Sequence, residues 1–196
     1  MTTWWRKGVA FPIKNENFLQ ILNFFLLNCP VVFPKSRRKV SQRAKSLEKI
    51  GWTAHKLLTL LANMKSSATK TLKNNYFKSD KADFNVEETM SKCEQSSSYN
   101  DKHFEVMVFV VNSELGETRT IFYYIRNAFA HGAFSVCEDD KNPVYYLESA
   151  KDGKIKGQFR LKETTLLEWI RLSTSTPDKL KMRTKKSKNK KKAIKL

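Results

Sequence analysis

Residues 114–132 read ELGETRTIFYYIRNAFAHG and carry the clearest secondary-structure signal in the chain. Glu117 stands in the first turn of a predicted helix, where an acidic side chain is favoured by the helix dipole. Apolar side chains then repeat at helical spacing, at Ile121, Phe122, Ile125 and Phe129. Gly132 follows where a C-terminal cap is expected. The stretch therefore predicts a helix over Glu114–His131 whose polar residues gather at its C-terminal end.

Three further segments predict helices. Glu16–Asn28 is so dense in apolar residues that it predicts a buried core helix, which Pro30 ends. Ser41–Lys65 predicts one long helix with an apolar stripe, weakened in its middle by Gly51. Glu163–Leu172 predicts a short closing helix.

The pattern changes to period two late in the chain. Val144–Ser149 and Lys154–Leu161 lie on either side of Asp152-Gly153, a pair that is typical of tight hairpin turns. These segments predict a small β-hairpin over 144–161. Together with the helices they predict a mainly α fold, a helical bundle with one late hairpin, in a single domain over residues 1–178.

Two segments between the helices are less regular. Residues 79–101 are polar and rich in serine, so they predict a long loop or an internal boundary. Residues 103–111, HFEVMVFVV, form a continuous apolar run. The β propensity of its residues predicts a strand. A buried turn of helix in a helical core would show the same apolar run, so both alternatives remain open.

The charge of the chain is strongly positive. Lysine and arginine number 37 against 19 aspartate and glutamate, a formal net charge of +18. Residues 179–196 carry a run of basic residues and no acid, which predicts a disordered tail, either solubilising or able to bind polyanions. A second basic cluster lies in residues 35–49, where Glu48 is the one acidic residue. The residues expected to contact RNA phosphates are Lys35, Arg37, Arg38, Lys39, Arg43, Lys45, Lys185, Lys186, Lys190, Lys191 and Lys192.

Several classes of protein are disfavoured by what the sequence lacks. The three cysteines, Cys29, Cys93 and Cys137, are widely separated, which argues against a disulfide framework or a zinc finger. The most apolar window, residues 18–33, is too short and too polar for a membrane span, and it lacks a secretory cleavage pattern. P-loop, GxSxG and HExxH motifs are absent. We therefore expect a cytoplasmic protein that needs no cofactor and no metal.

Arg126, Asn127 and His131 form the one grouping with a plausible chemistry. RNA brings its own nucleophile, the 2′-hydroxyl, so cleavage needs a proton acceptor that works near neutral pH and a fixed positive charge for the phosphate. Histidine and arginine supply these two functions, and Asn127 would support them. Asn127 and His131 share a helix face, whereas Arg126 and His131 are about 140° apart around the axis. A symmetric dimer that brings two such helices together would complete the site.

The segment RNAFAHG, residues 126–132, resembles the R-x4-6-H motif of the HEPN superfamily. The similarity extends over residues 121–172, from IFYYIRNAFAHGAFSV through the hairpin to LLEWIRL. The resemblance implies a helical bundle that dimerises around a composite active site. It also implies a metal-independent endoribonuclease acting as a toxin or in antiviral defence, with a possible antitoxin or regulatory partner. Arg126 and His131 would then be catalytic and Asn127 supportive.

Two other interpretations remain open at this point. Arginine and histidine occur at this spacing by chance, and a histidine in the last turn of a helix is favoured by the helix dipole alone. The chain would then be a non-catalytic module that binds RNA or a protein partner through its basic residues. A structural dimer or inhibitory subunit, in which the motif serves only packing, is the third interpretation.

Overall fold

The structure is a computed structural model that describes residues 15–31, 47–95, 104–137 and 142–179. Helices hold 51% of the described residues and strands hold 22%. The strands form a single five-stranded mixed sheet. The predicted mainly α, HEPN-like helical bundle is therefore wrong, and so is the all-α class, because the described fold is α/β.

The described residues contain six α-helices and five strands. The helices are α1 (Glu16–Leu22), which continues as a turn of π-helix (Asn23–Leu27), α2 (Ala54–Ser67), α3 (Lys70–Asn74), α4 (Val86–Gln95), α5 (Gly116–Ala130) and α6 (Glu163–Thr174). The strands are β1 (Tyr76–Ser79), β2 (Val106–Val110), β3 (Phe134–Cys137), β4 (Val144–Lys151) and β5 (Lys154–Lys162). Their order in the sheet is β1-β2-β5-β4-β3, with β1 parallel to β2 and every other pair antiparallel.

Helices cover both faces of the sheet at β2. Met107 and Phe109 point into the larger core, which holds buried side chains of α1, α2, α5 and α6. Val106, Val108 and Val110 point into a smaller core against α4. A strand buried on both faces is apolar at every position and shows no alternation. The run at 103–111 is thus a strand at Val106–Val110, and the helical alternative is wrong.

Helix α4 lies within the segment expected to be a loop, residues 79–101. Only Val86, Met90 and Cys93 of this helix are buried, at intervals of four and three residues. Because the rest of the helix is polar and solvent-facing, its composition resembles that of a loop. The prediction of a loop is therefore wrong for Val86–Gln95, because helix α4 lies in the crossover connection between the parallel strands β1 and β2.

The long helix expected over Ser41–Lys65 is shorter and starts later. Residues 47–51 form a turn, in which Gly51 has φ of 101°, and α2 begins only at Ala54. An L-residue rarely adopts that φ, so glycine at position 51 permits the turn that separates Leu47 from the helix. Residues 41–46 lie outside the described part of the chain.

The amino-terminal helix is buried on one face only. Phe18, Ile21 and Phe25 pack into the larger core, whereas Leu19 is 45% and Leu27 is 64% exposed. The expectation of a wholly buried helix over Glu16–Asn28 is therefore wrong in part. No helix among the described residues has the length and apolar character that crossing a bilayer requires. The basic tail beyond residue 179 lies outside the described residues.

Glu117 joins the start of α5 to α2 and β1. Its carboxylate accepts hydrogen bonds from Lys65 Nζ at 2.9 Å, from Tyr76 Oη at 2.8 Å and from Lys78 Nζ. Burial alone would raise the pKa of Glu117, but the hydrogen bonds from Lys78, Lys65 and Tyr76 outweigh it and hold the pKa below its ordinary value. The ionised carboxylate therefore stabilises the folded state.

Glu117→Gln is expected to lower the free energy of unfolding by about 1 kcal/mol at neutral pH, because it removes a carboxylate shared by two lysines. A lowered folded pKa contributes stability above the unfolded pKa of about 4.3 and loses it as the pH falls through the folded value. The gap between wild type and variant should thus close in acid, as urea unfolding at several pH values would show. Glu88→Gln, at an exposed ion pair with Lys92, is the control and should change stability little. A gap that stays constant with pH would contradict the assignment.

Candidate functional site

Helix α5 ends in a well-defined C-terminal cap that presents His131. The Ala133 N–H donates to the Ala128 carbonyl at 2.8 Å, and the Gly132 N–H donates to the Phe129 carbonyl at 3.3 Å. These two bonds, with Gly132 at φ of 64°, make a Schellman motif. His131 is the cap residue and its side chain is exposed. The cap thus fixes the backbone of His131 and leaves the imidazole accessible to a ligand.

Asn127 contacts both of the other motif residues. Its side chain is only 8% exposed, and its Oδ1 accepts a hydrogen bond from Arg126 Nη1 at 3.3 Å. Its backbone carbonyl accepts the His131 N–H at 3.0 Å. Arg126 itself is exposed. A buried amide therefore orients a guanidinium that remains available to an anion.

Arg126, Asn127 and His131 line one cleft of about 280 Å³ within a single chain. One wall of the cleft is α5, and the other is the end of the β4–β5 hairpin. The residues that line it are Asn112, Tyr123, Tyr124, Arg126, Asn127, His131, Ser149, Ala150, Lys151 and Lys156. Although Arg126 and His131 are five residues apart on the helix, the reach of the arginine side chain lets both border the same space.

The cleft is basic. Arg126, Lys151 and Lys156 are cations, His131 can become one, and no carboxylate is found among the described residues that line the cleft. Amides and hydroxyls supply the remaining polar groups, at Asn112, Asn127, Tyr123, Tyr124 and Ser149. This lining is suited to a phosphate or another oxyanion.

Two further titratable groups near the cleft stay protonated at neutral pH. Burial, reinforced by the neighbouring Tyr123, raises the pKa of Tyr124 to about 12, and its hydroxyl donates to the Val110 carbonyl at 3.0 Å. Burial also raises the pKa of Cys29 to about 11, although the charge of nearby Arg126 acts in the opposite direction. Neither group can therefore serve as a proton acceptor or thiolate nucleophile at neutral pH. Among these groups, His131 is the candidate for proton transfer.

The sequence predicts the hairpin but does not indicate that it forms a wall of this cleft. β4 and β5 turn at Asp152 and Gly153, both with positive φ, as a type I′ turn requires. Lys151 pairs with Lys154 next to the turn, and a bulge follows between Ser149 and Ala150 of β4. The residues Ser149, Lys151 and Lys156 reach the cleft only because this hairpin folds against α5. Ile155, Phe159 and Leu161 keep a spacing of two across the bulge in the sequence, although Ile155 packs on the opposite side of the sheet from the other two.

Gly157 allows α5 to approach the hairpin closely. A Cβ atom at this position would lie 2.7 Å from Cδ2 of Tyr124 and 3.3 Å from Cζ of Phe159. The φ of Gly157 is not positive, so the absence of a side chain, and not backbone freedom, is what this position needs. The ring of Tyr124 therefore lies over Gly157 and forms part of the cleft.

Gly157→Ala is expected to destabilise the fold by about 1–3 kcal/mol, because the added methyl group must displace the ring of Tyr124. Urea unfolding measures this loss. In a Tyr124→Val background the same substitution should cost less, because the ring is gone, and the double-mutant cycle reports the difference. Equal costs in the two backgrounds would show that the close contact is not responsible.

The predicted RNA-contacting clusters are not part of the described cleft. Lys35, Arg37, Arg38, Lys39, Arg43 and Lys45 lie in residues 32–46, outside the described residues. Lys185, Lys186, Lys190, Lys191 and Lys192 lie in residues 180–196, also outside them. The basic side chains that the structure brings to the motif are instead those of the hairpin.

No protein-family model, curated protein or solved structure matches this chain.

Proposed function

We propose that the protein is a metal-independent endoribonuclease. The observation that supports this proposal is the basic cleft in which an accessible imidazole, His131, and a guanidinium held by a buried amide, Arg126 on Asn127, border the same space. Such a cleft combines a proton acceptor with fixed charge for a phosphate. The resemblance of residues 126–132 to the HEPN motif is part of the proposal, although the α/β fold departs from the helical bundle that it implied.

The proposed reaction uses the 2′-hydroxyl of the RNA as nucleophile. His131 accepts the proton as the 2′-oxygen bonds to phosphorus, and Arg126 neutralises the charge that develops on the non-bridging oxygens. The bond from phosphorus to the 5′-oxygen breaks, and that oxygen takes up a proton. The products are a 2′,3′-cyclic phosphate and a 5′-hydroxyl end. DNA lacks the nucleophile and stays intact.

A homodimer with a composite site is part of this proposal. The residues lining the described cleft include one histidine, and a two-fold partner would bring a second imidazole that protonates the leaving 5′-oxygen. Light scattering at the concentration used for cleavage tests this step. A fully active monomer would show that one chain suffices.

The decisive experiment incubates the purified protein with single-stranded RNA and with DNA of the same sequence, in EDTA. We expect RNA fragments with cyclic phosphate ends, which phosphatase removes only after acid opening, and no cleavage of DNA. Cleavage of the DNA as well as the RNA, or RNA products with a 5′-phosphate, would contradict attack by the 2′-hydroxyl. No RNA cleavage under any condition would refute the proposed activity.

A non-catalytic RNA-binding or partner-binding module is the second candidate. It is favoured by the cationic lining, because lysine and arginine would bind any phosphate chain without chemistry. Its signature is salt-sensitive RNA binding that is unchanged in His131→Ala, with the RNA recovered intact.

Expression in a bacterial host tests the proposed role of the ribonuclease as a toxin or defence effector. An active ribonuclease should arrest growth unless an antitoxin or regulatory partner restrains it.

A further inference from the structure

The bulge in the β4–β5 hairpin lets two successive residues, Lys156 and Gly157, lie on the same side of the sheet. Ala150 pairs with Ile155, but the next pair is Ser149 with Gly157, so Lys156 is an extra residue on β5. Ile155 packs beside the smaller core on the α4 side of the sheet. Gly157 faces Tyr124 on the α5 side, and Lys156 lines the cleft on that side as well. A bulge commonly re-aims a side chain in this way.

Lys151 reaches the same cleft from the opposite strand of the hairpin. It lies two residues after Ser149 on β4, and alternate residues of a strand share a face. Ser149 and Lys151 both line the cleft. The hairpin end therefore presents two lysines to the wall formed by α5.

The two walls of the cleft carry separate cationic groups. Arg126 and His131 stand on the helix wall, and Lys151 and Lys156 stand on the hairpin wall. The volume of the cleft, about 280 Å³, lies just below the range of ligand pockets, about 300 to 1,000 Å³, so the cleft has room for no more than about one nucleotide unit. A nucleotide within a strand carries one phosphate on each side. Cations on both walls match that arrangement.

We propose that Lys151 and Lys156 form a subsite for the phosphate next to the one that is cleaved, so that the substrate is a single RNA strand bound through two successive phosphates. This inference rests on the proposed function and adds the hairpin residues to it. Lys156 Nζ donates to the Ala82 carbonyl at 3.4 Å, a long hydrogen bond that a phosphate can replace. The subsite binds and positions the strand, while proton transfer stays with His131.

The first test measures binding and does not depend on cleavage. A short, fluorescein-labelled 2′-O-methyl RNA, which cannot be cleaved, is titrated with the wild type, the Lys151→Gln, Lys156→Gln double variant and Lys154→Gln. Lys154 is an exposed lysine of the same hairpin that does not line the cleft, so it is the matched control. We expect the double variant to bind about five- to twentyfold more weakly. Its slope of log K against log salt should fall by about 1.4, because each lysine that neutralises a phosphate of a single strand adds about 0.7 to that slope.

The second test uses substrate length. On the short RNA the double variant should raise KM with kcat within about twofold of the wild type. A dinucleoside monophosphate has no neighbouring phosphate, so the double variant and the wild type should cleave it equally. A matched loss of kcat on both substrates would overturn the subsite, because the lysines would then act on the cleaved phosphate itself.

The two tests separate failure of the subsite from failure of the proposed function. If the wild type never cleaves RNA but binds it more tightly than the double variant does, the ribonuclease is refuted and the phosphate subsite is supported. Cleavage by wild type together with unchanged binding and KM in the double variant would refute the subsite alone. If Lys154→Gln, which removes one charge, shows half or more of the loss in log affinity of the double variant, which removes two, the effect is one of overall charge and the subsite is also refuted.

Discussion

Replacing His131 by alanine is expected to lower the rate of RNA cleavage by about 10²–10⁴-fold, the contribution typical of a positioned proton acceptor. The side chain of His131 is exposed at the cap of α5, so its loss should change the free energy of unfolding by no more than about 0.5 kcal/mol. RNA binding should persist, because Arg126, Lys151 and Lys156 remain in the cleft. The measurement is single-turnover cleavage of a labelled RNA at saturating protein.

His55→Ala is the matched control for this prediction. His55 is exposed on α2 and does not line the cleft, so its replacement should leave the cleavage rate unchanged. Equal cleavage rates for the wild type and His131→Ala would show that the imidazole of His131 has no catalytic role.

The largest effect on stability is expected from Phe109→Ala, which should lower the free energy of unfolding by about 3–5 kcal/mol. Phe109 is fully buried on β2, where its ring lies edge-on to those of Tyr76, at 5.5 Å, and Phe159, at 5.8 Å. Removing the ring opens a cavity between the middle strands and the main helical layer. Urea unfolding at neutral pH measures the loss.

Leu58→Ala provides the comparison, because Leu58 is 71% exposed on α2. A leucine that remains in water gains little from folding, so the change should stay within about 0.5 kcal/mol. A cost below about 1 kcal/mol for Phe109→Ala would contradict the placement of β2 in the centre of the fold.

Elements with a local signal agree most closely between sequence and structure. The helix expected over Glu114–His131 is α5, Gly116–Ala130, and Gly132 is in its C-terminal cap. The Asp152-Gly153 pair makes the turn between β4 and β5, and α6 begins at Glu163 as expected. Each of these signals depends on residues within one or two turns of chain. Propensity and capping act over that same distance.

Elements whose identity depends on distant partners were misjudged. The run at β2 lacks alternation because it is covered on one side by α4 and on the other by the main helical layer, and the residues of the run do not themselves show what packs on them. Helix α4 resembled a loop because it buries only one narrow face. Without β2 and its crossover helix, the predicted hairpin is an addition to a helical bundle, whereas in the structure β5 is the middle strand of the sheet. The fold class was wrong for this reason.

The sequence alone determined the motif helix, its cap and the chemistry that Arg126, Asn127 and His131 can offer, because these depend on residues that follow one another along a single helix. Only the tertiary structure decided what faces that helix. The bulge at Lys156 and the missing side chain at Gly157 bring the hairpin against α5 and add Lys151 and Lys156 to the cleft. Strand register and close packing arise from contacts between segments far apart in the chain, and periodicity within one segment carries no record of them.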